Sequence, residues 1–175
     1  MKGSEKQKLI VIGKSQKPRY FKNVKKLPVH YKSNKKACMT SDLFQKYLRQ
    51  WDKELDNKKR KIVLLIDNCR AHIEPSNLQR IKVFFLHFPN TTSVLKPIYQ
   101  GVIHSLKCHY RKQLILLILE CYDKNKDCDI SLLDAVVLFE KSWTLVTEST
   151  IRNGFSCVGH MKTQETEDDN LPPSK

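Results

Sequence analysis

An α/β domain, with a mixed sheet flanked by helices and a helical segment at its C-terminal end, is the fold class that this sequence predicts. Three observations carry it. Ile62-Val63-Leu64-Leu65-Ile66 is an unbroken run of β-branched and leucine residues, the pattern of a strand covered on both faces in a parallel sheet. Lys82-Val83-Phe84-Phe85-Leu86 reads as a second such strand. Apolar residues at helical spacing precede these runs and, in a long stretch, follow them. A chain of 175 residues suits one domain with tails, since single domains typically run roughly 100–200 residues.

In chain order, residues 8–12 before Gly13 predict a short first strand, and 14–36 a polar, lysine-rich, proline-punctuated connection without helical periodicity. Thr40 or Ser41 then opens a helix, with Asp42 near its positive end and Phe44, Tyr47, Leu48, Trp51 and Leu55 on one stripe. The run Lys58-Lys59-Arg60-Lys61 ends it. The two strands follow, separated by a polar connection containing Pro75 and Asn77, and Pro89 and Pro97 frame a loop that is not helical throughout.

From Val102 a long amphipathic helix aligns Ile103, Leu106, Tyr110, Leu114, Leu117 and Cys121, with Lys107, Arg111 and Lys112 on its other faces. Ser131 caps a further helix that turns Leu132, Val136, Phe139 and Trp143 to a core, and Thr150 starts a short last one. The domain is expected over 5–160, with 161–175 a disordered acidic tail.

Lys+Arg 32 against Asp+Glu 18 leaves a formal charge of +14, concentrated before residue 115, so a polyanion is the partner class to expect. The connection 14–36 interleaves Lys22, Lys25, Lys26, Lys35 and Lys36 with Tyr20, Phe21 and Tyr31. Cations neutralise phosphates and aromatic rings stack on unpaired bases, although such rings equally often tuck against a core. Lys107, Arg111 and Lys112 would add phosphate contacts that position nucleic acid rather than read its sequence.

Six cysteines, without a Cys-x-x-Cys pair or a histidine at zinc-finger spacing, read as reduced structural thiols in an intracellular compartment. No apolar stretch approaches the roughly 20 residues of a membrane span, so no membrane partner is expected. Residues 123–134 place oxygen side chains as in an EF-hand loop. Yet Cys128 stands where that loop needs glycine and Asp134 where it needs a bidentate glutamate, which favours a solvated interhelical loop capped by Ser131.

Asp67 closes the first strand run and leads into Asn68-Cys69-Arg70-Ala71-His72. Farther on, Asn90-Thr91-Thr92-Ser93 precedes Pro97-Ile98-Tyr99-Gln100-Gly101. Together these strings resemble the DDE endonuclease domain of pogo/Tigger-type transposases and their domesticated relatives, which include jerky-like proteins and centromere protein B. The resemblance implies an RNase H-like fold, nuclear residence and DNA as the partner. It also implies three acids: one on an upstream strand, one at Asp67, and one immediately before Gln100-Gly101, where this chain has Tyr99.

A nuclease of that kind needs carboxylates converging on two divalent ions roughly 4 Å apart, and one carboxylate cannot hold two Mg²⁺ ions together against their repulsion. Asp67 is thus expected to be a vestigial metal ligand with no cofactor, and Asn68, His72, Gln100 and Gly101 to shape the former site. Upstream of 8–12 only Lys2, Gly3, Ser4 and Glu5 precede, so the resemblance implies an N-terminally truncated domain without its first strands, whose 62–66 strand has an open edge. Asp42, Asp52 and Glu74 are the acids that could in principle replace the missing ones.

The expected function is therefore a catalytically inactive DDE remnant that binds DNA. The alternatives are an interaction fragment completed by another transposase-derived chain through strand addition, or the functionless product of a decayed element.

Overall fold

The computed structural model describes residues 5–86, 96–99 and 101–158. Its elements are β1 (Ile10–Gly13), a 3₁₀ turn (Arg19–Phe21), β2 (His30–Ser33), α1 (Ser41–Asn57), β3 (Ile62–Asp67), β4 (Ile81–Leu86), a second 3₁₀ turn (Pro97–Tyr99), α2 (Val102–Asp123), α3 (Leu132–Leu145) and α4 (Glu148–Cys157). The expected Asn90-Thr91-Thr92-Ser93 string, Gln100 and the acidic tail lie outside the described residues.

Instead of one mixed sheet, the described strands form two separate two-stranded sheets, and both pairings are parallel. Parallel neighbours need a long crossover, which the segments 14–29 and 68–80 supply. In β1–β2, Ile10 lies opposite His30 and Gly13 opposite Ser33. The expectation that 14–36 is only a polar connection is thus corrected, because His30-Tyr31-Lys32-Ser33 has no apolar run of its own and becomes a strand by pairing with β1. Gly13 is what lets Tyr31 lie there: a Cβ at residue 13 would come 2.0 Å from the Tyr31 hydroxyl, which donates to the Ser15 carbonyl at 2.8 Å.

The main core forms where α1 covers one face of β3–β4. Thr40 caps α1 by accepting from the Leu43 N–H, and the helix buries Phe44, Leu48 and Leu55 against Ile66 and Ile81. The partly buried Leu64, Val83 and Phe85 extend the same layer. On the opposite face Leu86 is buried and Leu65 half-buried, but Val63 is 60 % and Phe84 54 % exposed, so the second face that composition predicts to be covered is covered only in part. Among the described residues β3 pairs only with β4.

Asp52, the one charged residue buried in α1, reaches the start of β4. It accepts from the backbone N–H groups of Gln79 (3.0 Å), Arg80 (2.7 Å) and Ile81 (3.0 Å). Burial acts to raise its pKa, but these three donors and then the Arg80 charge hold it below the ordinary aspartate value. Asp52 is therefore a structural anion, and not a replacement for a missing acid.

α2 packs on α3 through the predicted stripe, with Tyr110 meeting Phe139 edge-on at 6.1 Å. Asp134, the last position of the EF-hand-like pattern, turns back to accept from Ser131 in a capping box at the start of α3. At the other end of α3, Lys6 donates to the carbonyls of Trp143 (3.0 Å) and Thr144 (2.9 Å) and lies over the Trp143 ring. Helix C-terminal carbonyls attract cations in this way. α4 begins at Glu148, capped by Thr147, a turn earlier than Thr150 suggests, because Thr147 accepts from the Thr150 N–H. Among the described residues no helix is long and apolar enough to cross a membrane.

Candidate functional site

Asp67 ends β3 opposite Leu86 of β4, at the C-terminal edge where α/β sheets present ligand-binding groups. The chain then turns, with the His72 N–H donating to the Cys69 carbonyl at 2.8 Å. His72 packs against Phe44 of α1, ring centroids 4.8 Å apart, so the core holds the imidazole beside Asp67. From the far side of the sheet end, buried Pro97 anchors the second 3₁₀ turn and places Lys96 and Tyr99 at the same cavity. Gly101 takes φ 95°, a left-handed value that favours glycine, and lets the chain reverse from Tyr99 into α2.

A cavity of about 610 Å³ results, lined by Asp67, His72, Lys96 and Tyr99 together with apolar residues of β3, Ile103 of α2 and Phe155 of α4. The structure therefore brings Tyr99 to the cavity that Asp67 lines. Asn68 is exposed beside the site. Asp42 and Glu74 are also exposed and, like Asp52, line no part of the cavity, while Glu5 pairs with Arg60.

Lys96, which no sequence motif singles out, holds the centre of the site. Its Nζ lies 2.5 Å from Asp67 Oδ2 and 5.2 Å from the centroid of the Tyr99 ring. On the other carboxylate oxygen, His72 Nδ1 sits 2.5 Å from Oδ1 and 3.2 Å from the Asp67 carbonyl. A carbonyl only accepts, so the latter contact puts the hydrogen on Nδ1. Oδ1 then has the imidazole as a close neighbour but no aligned hydrogen bond. Proximity matters more than alignment here, since at 2.5 Å nothing fits between the two atoms. The only hint in the sequence is that a cation immediately precedes the string that carries Tyr99.

Burial acts to raise the Asp67 pKa. The hydrogen bond and charge of Lys96, followed by the neighbouring His72 imidazole, outweigh burial and hold the carboxyl below the ordinary aspartate value. The donor set does not fit a pair of Mg²⁺ ions, which demand several hard oxygen ligands. Among the described residues Asp67 is the sole carboxylate lining the cavity, and Lys96 and His72 already flank its two oxygens. Among the described residues no group of three His, Cys, Asp or Glu could hold a metal ion.

The basic side chains fall into separate places. Lys107 and Arg111, one turn apart on α2, line a groove of about 400 Å³ whose floor includes Val11, Tyr110, Val136 and Phe139. Lys112 is exposed but does not line that groove. The turn Arg19–Phe21 rests on α3, so Lys22, next in the chain, leaves the same helix, whereas Lys25 and Lys26 are exposed along the connection. Lys35 and Lys36 lie beyond β2, in a turn where Asn34 accepts from the Lys36 and Cys38 N–H groups. Phe21 meets Tyr31 edge-on at 4.9 Å, which spends both rings on each other while Tyr20 stays exposed.

Comparison with known proteins supports the reading of the strings. The family model described as DDE superfamily endonuclease matches residues 1–155. Tigger transposable element-derived protein 4 of Mus musculus is 40% identical over 160 residues, covering 91% of this chain and 31% of the relative. ARS-binding protein 1 of Schizosaccharomyces pombe is 34% identical over 173 residues (90% and 32%), and the CENP-B homolog protein 2 of the same yeast 30% over 177 residues (93% and 34%). The chain thus spans about a third of the length of these curated relatives. No solved structure matches it.

Proposed function

Since the chain belongs to the DDE superfamily endonuclease family, we propose that it is a catalytically inactive, RNase H-like member of the Tigger-derived branch that binds nucleic acid in the nucleus, with DNA as the partner. The inactive half of this reading rests on Asp67, whose carboxylate is neutralised by Lys96 in a cavity where Tyr99 supplies a phenol instead of a second acid. The binding half rests on the groove of Lys107 and Arg111: two cations one turn apart at the rim of an apolar and aromatic floor, on a chain of charge +14. Cations so placed suit phosphates, and Tyr110 and Phe139 offer ring surface nearby. A relative whose name states that it binds ARS supports the same partner class.

Salt dependence tests this reading. Binding to a duplex and to a single strand should weaken steeply with salt, and Lys107→Ala/Arg111→Ala should lower the log–log slope by about two, one per lost phosphate contact. An unchanged slope removes the groove from the interface. An affinity indifferent to salt removes nucleic acid as the partner.

The open face of β3–β4 favours a second reading, in which another transposase-derived chain adds to the sheet. Exposed Val63 and Phe84 and, among the described residues, the single pairing of β3 support it. A monomeric sedimentation profile at all protein concentrations, unchanged by Val63→Lys, would remove it.

A further inference from the structure

We infer that Lys96 is the resident cation of the Asp67 site, so that divalent metal is excluded twice, once by the missing carboxylate at Tyr99 and again by an ammonium already seated on the carboxylate that remains. The inference rests on the reading of the site as inactive and adds a second, separate cause for it.

Lys96 Nζ stands 2.5 Å from Oδ2 of Asp67, which is hydrogen-bond contact, with Tyr99 facing the ammonium from 5.2 Å. A ring face attracts a cation, so Tyr99 stabilises the charge that took the place of a metal. Mg²⁺ binds oxygen at about 2.0–2.1 Å, so an ion on Oδ2 would have to displace the ammonium, and one on Oδ1 would meet His72 Nδ1. Nor is the lysine loosely held. Its side chain is 20% exposed, the proline after it restricts its backbone to extended conformations, and its carbonyl accepts from the Tyr99 N–H at 3.0 Å. Lys96, Asp67 and Tyr99 together form a closed, charge-neutral unit.

Backbone amide NMR with Mn²⁺ as a paramagnetic probe tests the inference without any catalytic readout. In the wild-type chain and in Tyr99→Asp, the amide signals of residues 66–68 should persist as Mn²⁺ is added. In Lys96→Met/Tyr99→Asp they should be lost. In Lys96→Arg/Tyr99→Asp, which keeps a cation in place, they should persist again, and unchanged signals from α2 and α3 show that each variant is folded. Loss of the signals in Tyr99→Asp alone overturns the role of Lys96 while leaving the inactive reading intact, and their persistence in the Lys96→Met double variant overturns it as well. Loss in the wild type overturns both.

Discussion

Asp52, in the middle of α1, accepts a 3.0 Å hydrogen bond from the backbone N–H of Ile81, the residue that opens β4. With the Gln79 and Arg80 N–H groups on the same carboxylate, the helix holds the chain at the point where it enters the strand. The pairing of Ile62 with Ile81 begins there, so one side chain sets where β4 begins against β3.

Asp52→Asn should therefore destabilise the fold by about 2–3 kcal/mol, because its amide group must point an N–H at one of the three backbone donors and charge-assisted bonds become neutral ones. Asp52→Ala should cost at least as much. Urea denaturation followed by circular dichroism measures both, and a loss below about 0.5 kcal/mol, the ordinary range of surface substitutions, would mean that the three bonds do not anchor the strand.

The same carboxylate makes stability depend on pH. Its folded pKa is depressed, so its contribution is complete above the unfolded value of about 3.9 and is lost as pH falls through the folded value. Stability of the wild type should decline from about pH 5 downward, and Asp52→Asn should show a shallower decline over that window. Equal slopes in the two proteins would place the acid sensitivity elsewhere.

Lys6→Met should lower the melting temperature, with a loss of about 1–2 kcal/mol, since it removes the cation that satisfies the last carbonyls of α3 and lies 5.5 Å from the centroid of the Trp143 ring. The loss should appear as faster hydrogen exchange at the C-terminal end of α3 and in the N-terminal segment bonded to it through Gln7. Exchange rates that match the wild type there would count against the cap.

Gly13→Ala should cost about 1–3 kcal/mol, because its new methyl group would overlap the Tyr31 hydroxyl. The clash is specific to that ring. In the background of Tyr31→Ala the same substitution should be close to neutral, and a thermodynamic cycle with additive costs would show that Tyr31 is not the obstacle.

Much of the architecture is legible in the sequence. The stripe of α1, the Thr40 cap, the apolar run of β3, and the start of α2 at Val102 all follow from patterns within a few residues, and each is found where its pattern places it. Hydrophobic spacing does not disclose β2, whose residues His30 to Ser33 become a strand only because β1 offers them hydrogen-bonding partners. Nor does the apolar run at β3 reveal that Val63 faces outward, since composition describes what a strand could bury and not what is present to cover it.

The helices, three of the four described strands, the basic surplus and the strings that carry Asp67 and Tyr99 are written in the order of residues alone, because periodicity, capping and charge are properties of neighbours. Folding in three dimensions was needed to bring Asp67 to Lys96, Asp52 to the backbone of β4, and Lys107 and Arg111 to the border of one groove. The first two contacts join separate elements, and the groove takes its floor from β1 and α3 as well as α2. No local pattern encodes them, and they exist only once burial of apolar surface has brought distant parts of the chain within bonding distance.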